Sequence, residues 1–183
     1  EDRLALKAYT KEGGLPTGIG GDDKAGVFIC LQLLEKFDVI KGFFPVAEET
    51  GCHGSRGAKE DFFKDVGYAI QFDSTENDTM SLSLMGTQLF EQDSEFFNKT
   101  KGLILEHGFT EWRHHPYTDT MVLKERFNFA CLNFAAGYYN YHTDNEYVIV
   151  EDVLNSTLLG ESVIKELGNE FYEFKVPKKD SFG

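Results

Sequence analysis

Three acidic groups appear within the stretch from Asp22 to Asp73, each at the end of a predicted element: Asp22-Asp23, Glu48-Glu49 and Asp73. Short apolar runs bounded by polar or glycine residues predict buried strands over Val39 to Ala47 and Val66 to Phe72. Each run therefore delivers carboxylates at its C-terminal end. In an open parallel sheet that edge is where ligands bind, so Glu48, Glu49 and Asp73 are expected to converge. Carboxylates brought together repel unless a cation sits among them, which predicts a metal site. His142, just past the last predicted strand, can reach the same rim.

Oxygen and imidazole ligands suit zinc, and also manganese or cobalt. A carboxylate shared by two ions can hold them close enough to activate one water near neutral pH. Two adjacent glutamates call for two jobs. One can ligate while the other takes a proton from the water and passes it to a leaving amine. That chemistry is amide hydrolysis.

The elements that must position these groups alternate between strand and helix. A helix is predicted over Lys24 to Phe37, with Val27, Phe28, Leu31 and Leu34 as its buried stripe and Asp22 or Asp23 as its cap. After Glu49 come a small-residue loop from Gly51 to Gly57, a short helical piece over Ala58 to Phe63, the strand into Asp73, and an edge strand over Met80 to Leu84. Gln88 to His107 reads as an interrupted helix, and Phe109 to Tyr117 as an aromatic loop carrying Trp112, His114 and His115. A helix over Thr118 to Arg126, a strand over Phe129 to Phe134 and an amphipathic helix over Glu151 to Leu167 complete the pattern. It favours an α/β fold with a mixed, mostly parallel sheet flanked by helices.

Length and charge narrow the class. The 183 residues suit one domain with a sizeable core. A net charge of -13 makes the long-range electrostatics repulsive toward nucleic acid and anionic membranes, so neither is expected as a partner. No apolar run is long enough to span a bilayer, and the expected location is cytoplasmic. Cys30, Cys52 and Cys131 are too few and too scattered for a disulfide framework or a thiolate zinc site.

Taken together, Gly21-Asp22-Asp23-Lys24-Ala25-Gly26, Glu48-Glu49-Thr50-Gly51 with Gly54-Ser55-Arg56-Gly57-Ala58, Phe72-Asp73 and His142 before Glu146 resemble the cocatalytic zinc exopeptidases. That clan includes the peptidase T, carboxypeptidase G and deacylase, and leucyl aminopeptidase groups. The resemblance covers roughly Gly18 to Leu167 and implies a zinc-exopeptidase, phosphorylase/hydrolase-like fold. It implies two zinc ions per site, bridged by Asp22. Glu49 and His142 match the remaining ligands of one ion, Asp73 a ligand of the other, Glu48 the general base, and Asp23 the residue joined to the bridging aspartate by a cis peptide. The implied activity is hydrolysis of short peptides, of aminopeptidase or tripeptidase type. An N-acyl amino acid deacylase and a catalytically silent binding relative stand as alternatives, and self-association into a homo-oligomer fits any of them.

Two departures shape the expectation. The clan's second metal takes a further histidine from a His-x-Asp element upstream of the bridging aspartate, and no histidine precedes Asp22. The chain is therefore expected to be a single metallopeptidase catalytic domain lacking its N-terminal portion. The interval from Asp73 to His142 leaves no room for the lid domain that the tripeptidase and deacylase branch inserts there. Asp119, in Tyr117-Thr118-Asp119-Thr120, resembles a Thr-Asp element near the substrate. Arg126, Tyr138, Tyr139 and Asn140 suit either a peptide terminus or a packed surface.

Overall fold

A computed structural model describes residues 3–115 and 117–175. Nine strands and six helices follow in the order β1 (Ala5–Tyr9), β2 (Pro16–Thr17), α1 (Gly21–Lys36), α2 (His53–Arg56), α3 (Glu60–Phe63), β3 (Tyr68–Ser74), β4 (Thr79–Leu84), β5 (Thr87–Gln88), α4 (Glu95–Glu106), β6 (Glu111–His115), α5 (Asp119–Phe127), β7 (Ala130–Ala135), β8 (Tyr138–Tyr139), β9 (Tyr147–Ile149) and α6 (Val150–Leu167) among the described residues. The fold is α/β, as the alternation predicts. None of these helices is long and apolar enough to cross a membrane.

The main sheet is mixed. Its two longest ladders are parallel, β3 with β7 and β4 with β6, while β4 runs antiparallel to β5 and meets β7 antiparallel at Met80 and Phe134. A second, antiparallel sheet of order β2-β1-β9-β8 has no counterpart in the sequence reading. Its strands are too short, and β1 too exposed, for an apolar run to announce them.

Helices cover both faces of the main sheet. Side chains alternate along β3, so Phe72 meets α1 and α6 while Gln71 points the other way and accepts hydrogen bonds from Thr120 of α5. Close packing of α1 on β3 depends on Gly26. A Cβ there would lie 2.0 Å from the Phe72 carbonyl oxygen and 2.4 Å from Asp23 Oδ2. Gly26→Ala is expected to cost about 3 kcal/mol or more, since backbone on both sides must separate; a lower urea midpoint at unchanged slope checks it.

Several predicted elements differ from the structure. Val39 to Ala47 belongs to neither sheet, and Val39 and Val46 are exposed. A strand needs a ladder partner. Here the segment faces β3 across a cavity of about 790 Å³ lined by Ile40, Phe43, Tyr68 and Ile70, and no described strand lies between them. The buried stripe of α1 is Ala25, Ile29 and Leu33, not Val27, Phe28 and Leu31, which are exposed. Both faces of that helix are apolar, and the close approach at Gly26 selects the other one.

β4 is interior rather than an edge. Its alternate serines are buried, with Ser81 Oγ accepting from Asn133 Nδ2 at 3.1 Å and Ser83 Oγ lying 2.6 Å from His114 Nδ1. Paired hydroxyls thus mimic a solvent-facing pattern. The expected aromatic loop is β6, whose ladder with β4 runs from Glu111 to His115. Pro116 lies outside the described residues.

Candidate metal centre

Asp22, Glu49 and His142 come together from three separate segments. One ligand atom of each lies within 4.8 Å of the others, although Glu49 and His142 are 93 residues apart. His142 Nε2 is 2.9 Å from Glu49 Oε1 and 3.1 Å from Asp22 Oδ2. A single imidazole nitrogen carries at most one hydrogen, so it cannot donate to both carboxylates at once. A divalent cation among the three satisfies all of them, and the donor set of two carboxylates and one imidazole fits zinc. The residues present therefore fit one ion.

Local backbone explains the convergence. The Glu48-Glu49 turn is bracketed by Ala47 and Cys52, both left-handed, at φ 58° and 54°. Each such residue costs about 1–2 kcal/mol. Four backbone bonds hold the turn: Gly51 and Cys52 N–H donate to the Glu48 carbonyl, His53 N–H to Ala47 and Gly54 N–H to Val46. Tyr117 Oη donates to the Glu49 carbonyl at 3.0 Å. The guanidinium of Arg126 donates to the carbonyls of Ser55, Arg56 and Ala58, closing the small-residue loop behind the glutamates. Asn140 and His142 are left-handed too, at φ 53° and 59°.

Asp22 and Asp23 begin α1 with non-helical backbone and a cis peptide between them, as the resemblance implies. Asp23 Oδ1 accepts from Gly26 N–H at 3.0 Å, so Asp23 supplies the expected cap. Asp73 lines the same cavity as Asp22, Glu48 and Glu49, but it stands outside the three-donor group. Its Oδ2 accepts from Gln71 Nε2 at 2.9 Å and its N–H donates to Asn133 Oδ1 at 3.2 Å. Asp119 is buried and accepts a hydrogen bond from the equally buried Ser55.

The electrostatics record crowded negative charge. Burial, and then Asp22 and Glu48, push Asp73 up to about 8. Burial, then Glu49 and Asp119, push Glu48 up to about 7. Asp22 is raised by burial and then by Glu49, and Asp23 is raised well above the usual range by burial and then by Asp73. His142 is raised chiefly by its hydrogen bond with Glu49. Burial and mutual repulsion both favour the protonated form of Asp22, Asp23, Glu48 and Asp73, and a cation held nearby would oppose both effects.

Of the five histidines, His142 alone joins a carboxylate group among the described residues. His53 is exposed on α2, His107 pairs with Asn155, His114 with Ser83, and His115 Nε2 is buried without a partner. Tyr138 is buried and Tyr139 Oη donates to Asp152, so packing accounts for both, as loop closure does for Arg126. Sequence reasoning passed over Tyr117 and Gln71 as site supports. Tyr117 acts across 68 residues, whereas Gln71 acts on Asp73 two residues along β3.

No family sequence model and no curated protein sequence matches the chain. Solved structures do. Aminopeptidase APDkam598 from the archaeon Desulfurococcus kamchatkensis superposes with TM-score 0.59 at 18% identity, covering 90% of this chain and 52% of its own. The TET aminopeptidase of a marine-sediment thaumarchaeote gives 0.62 at 14% identity, over 89% and 52%. The aminopeptidase PepT from Bacillus cereus gives 0.61 at 13% identity, over 90% and 84%. The chain has the fold of these aminopeptidases. It spans about half the length of the two archaeal proteins.

Proposed function

We propose that this chain is the catalytic part of a metal-dependent exopeptidase that hydrolyses short peptides, of aminopeptidase or tripeptidase type. One observation carries the reading: Asp22, Glu49 and His142 present three metal-compatible donors within 4.8 Å, on a fold shared with aminopeptidases. A bound zinc, manganese or cobalt ion supplies Lewis acidity toward a scissile carbonyl and a water.

The chain's own residues supply the rest. Asp22, Glu49 and His142 orient the ion. Glu48 follows directly from the strained turn that aims Glu49 and takes no part in the donor group, so its carboxylate is free to move a proton. It receives one from water and returns it to the departing amine. In this reading Asp73 and Asp22 would hold a second ion, and Asp23 would support Asp22. Asp119, through Ser55, holds the loop behind Glu48. Asn140 belongs to the turn that carries His142, its carbonyl accepting from Thr143 Oγ1 at 2.6 Å. Self-association belongs to the same reading, supported by the similar fold of PhTET1-12s, described as a dodecamer (TM-score 0.58, 17% identity, over 86% of this chain and 53% of its own).

Hydrolysis of free-amine dipeptides and tripeptides, abolished by a chelator and restored by zinc, manganese or cobalt, is the expected result. Preference for N-acetylated substrates instead identifies a deacylase. Metal uptake without turnover of either identifies a binding relative, and chelator-resistant hydrolysis contradicts the proposal.

A further inference from the structure

Glu146 is buried, 5% exposed, beside a site already crowded with carboxylates. No lysine, arginine or histidine pairs with it among the described residues. Its two oxygens are instead spent on backbone: Oε2 accepts from Gly20 N–H at 2.6 Å and Oε1 from Asp22 N–H at 3.0 Å. Those amides lie 126 and 124 residues away in sequence. Gly21 lets the Asp22 turn pack against the strands beside it, since a Cβ there would lie 2.7 Å from Val148 Cγ2 and 2.9 Å from Tyr138 Cβ.

The backbone of the same residue closes the turn that carries His142. Glu146 N–H donates to Thr143 O at 3.2 Å, and Thr143 Oγ1 donates to Asn140 O at 2.6 Å. One residue therefore grips the Asp22 turn with its side chain and the His142 turn with its main chain. We propose that Glu146 is a positioning residue that fixes the spacing between Asp22 and His142, and so sets the affinity of the metal centre. This rests on the reading of Asp22, Glu49 and His142 as ligands.

Placing a carboxylate here is costly, because a buried carboxylate beside Asp22 adds like charge and loses water. Two converging N–H donors explain the choice. A carboxylate offers an acceptor to each, whereas glutamine offers one acceptor and turns its own NH₂ against the other donor. Glu146 is not itself one of the three clustered donors, so the effect is indirect. Outer partners of metal ligands are worth about 10–100-fold in affinity.

The test measures zinc affinity by competition with a chromophoric chelator, together with amide hydrogen exchange over residues 18–24 in the metal-free full-length protein. Glu146→Gln is expected to weaken zinc binding by about 10–100-fold and to speed exchange at Gly20 and Asp22. Val163→Ala, a core truncation in α6 remote from the site, serves as the stability control and is expected to leave affinity within about threefold of the parent. Unchanged affinity in Glu146→Gln, or an equal loss in Val163→Ala at matched melting temperature, overturns the proposal. A parent protein that takes up no zinc overturns the ligand reading beneath it. Exchange at Gly20 and Asp22 then judges the tether alone, and no change there overturns that too.

Discussion

Glu48→Gln is expected to lower kcat by about 10²–10⁴-fold while leaving metal content unchanged. The amide preserves the size and hydrogen-bonding reach of the side chain but cannot accept a proton from water. Because Glu48 stands outside the Asp22, Glu49 and His142 group, the ion loses no donor. KM should change little, since the carboxylate acts on the reacting proton rather than on substrate binding. Metal analysis and steady-state kinetics on the same preparation check the split. Loss of metal with activity makes Glu48 a ligand, and retained turnover removes it from the chemistry.

His142→Ala is expected to weaken metal binding by more than about 100-fold, because even outer partners of ligands contribute 10–100-fold. The fold should barely notice. The His142 side chain is 57% exposed, and an exposed substitution shifts stability by about 0.5 kcal/mol or less. Linkage gives a clean readout. An ion at 100 times its Kd stabilises the folded state by about 2.7 kcal/mol, so the parent's melting temperature should rise on adding zinc and the variant's should not. A zinc-dependent shift that survives in His142→Ala means the ion binds elsewhere.

Part of this cluster was legible in the sequence. His142 lies just past β8 and Asp22 at the start of α1, but Glu49 ends no strand, because Val39 to Ala47 joins neither sheet. Asp22 and Glu49 match ligands through their motifs rather than through strand ends. The cap at Asp23 follows from its distance to Gly26. The supports are different. Tyr117 and Glu146 reach the site through hydrogen bonds that span 68 and 126 residues, and Gln71, which donates to Asp73, is itself held by Thr118 from 47 residues away. Such contacts leave no periodic trace.

The fold errors share a cause. Apolar pattern reports burial, not pairing: Val39 to Ala47 has the composition of a strand but no ladder partner among the described residues. Ser81 and Ser83 have the polarity of an exposed face, yet both are buried and hydrogen-bonded. The stripe on α1 was misassigned because two apolar faces compete, and the closeness of Phe72 to Gly26 decides between them.

Anomalous diffraction at the zinc edge from crystals of the zinc-loaded protein is the most direct measurement. A peak about 2.0–2.2 Å from Asp22 Oδ2, Glu49 Oε1 and His142 Nε2 is expected, with the Glu48 carboxylate outside bonding distance. No peak among those three atoms, or a peak bound by Glu48 in place of Glu49, contradicts it.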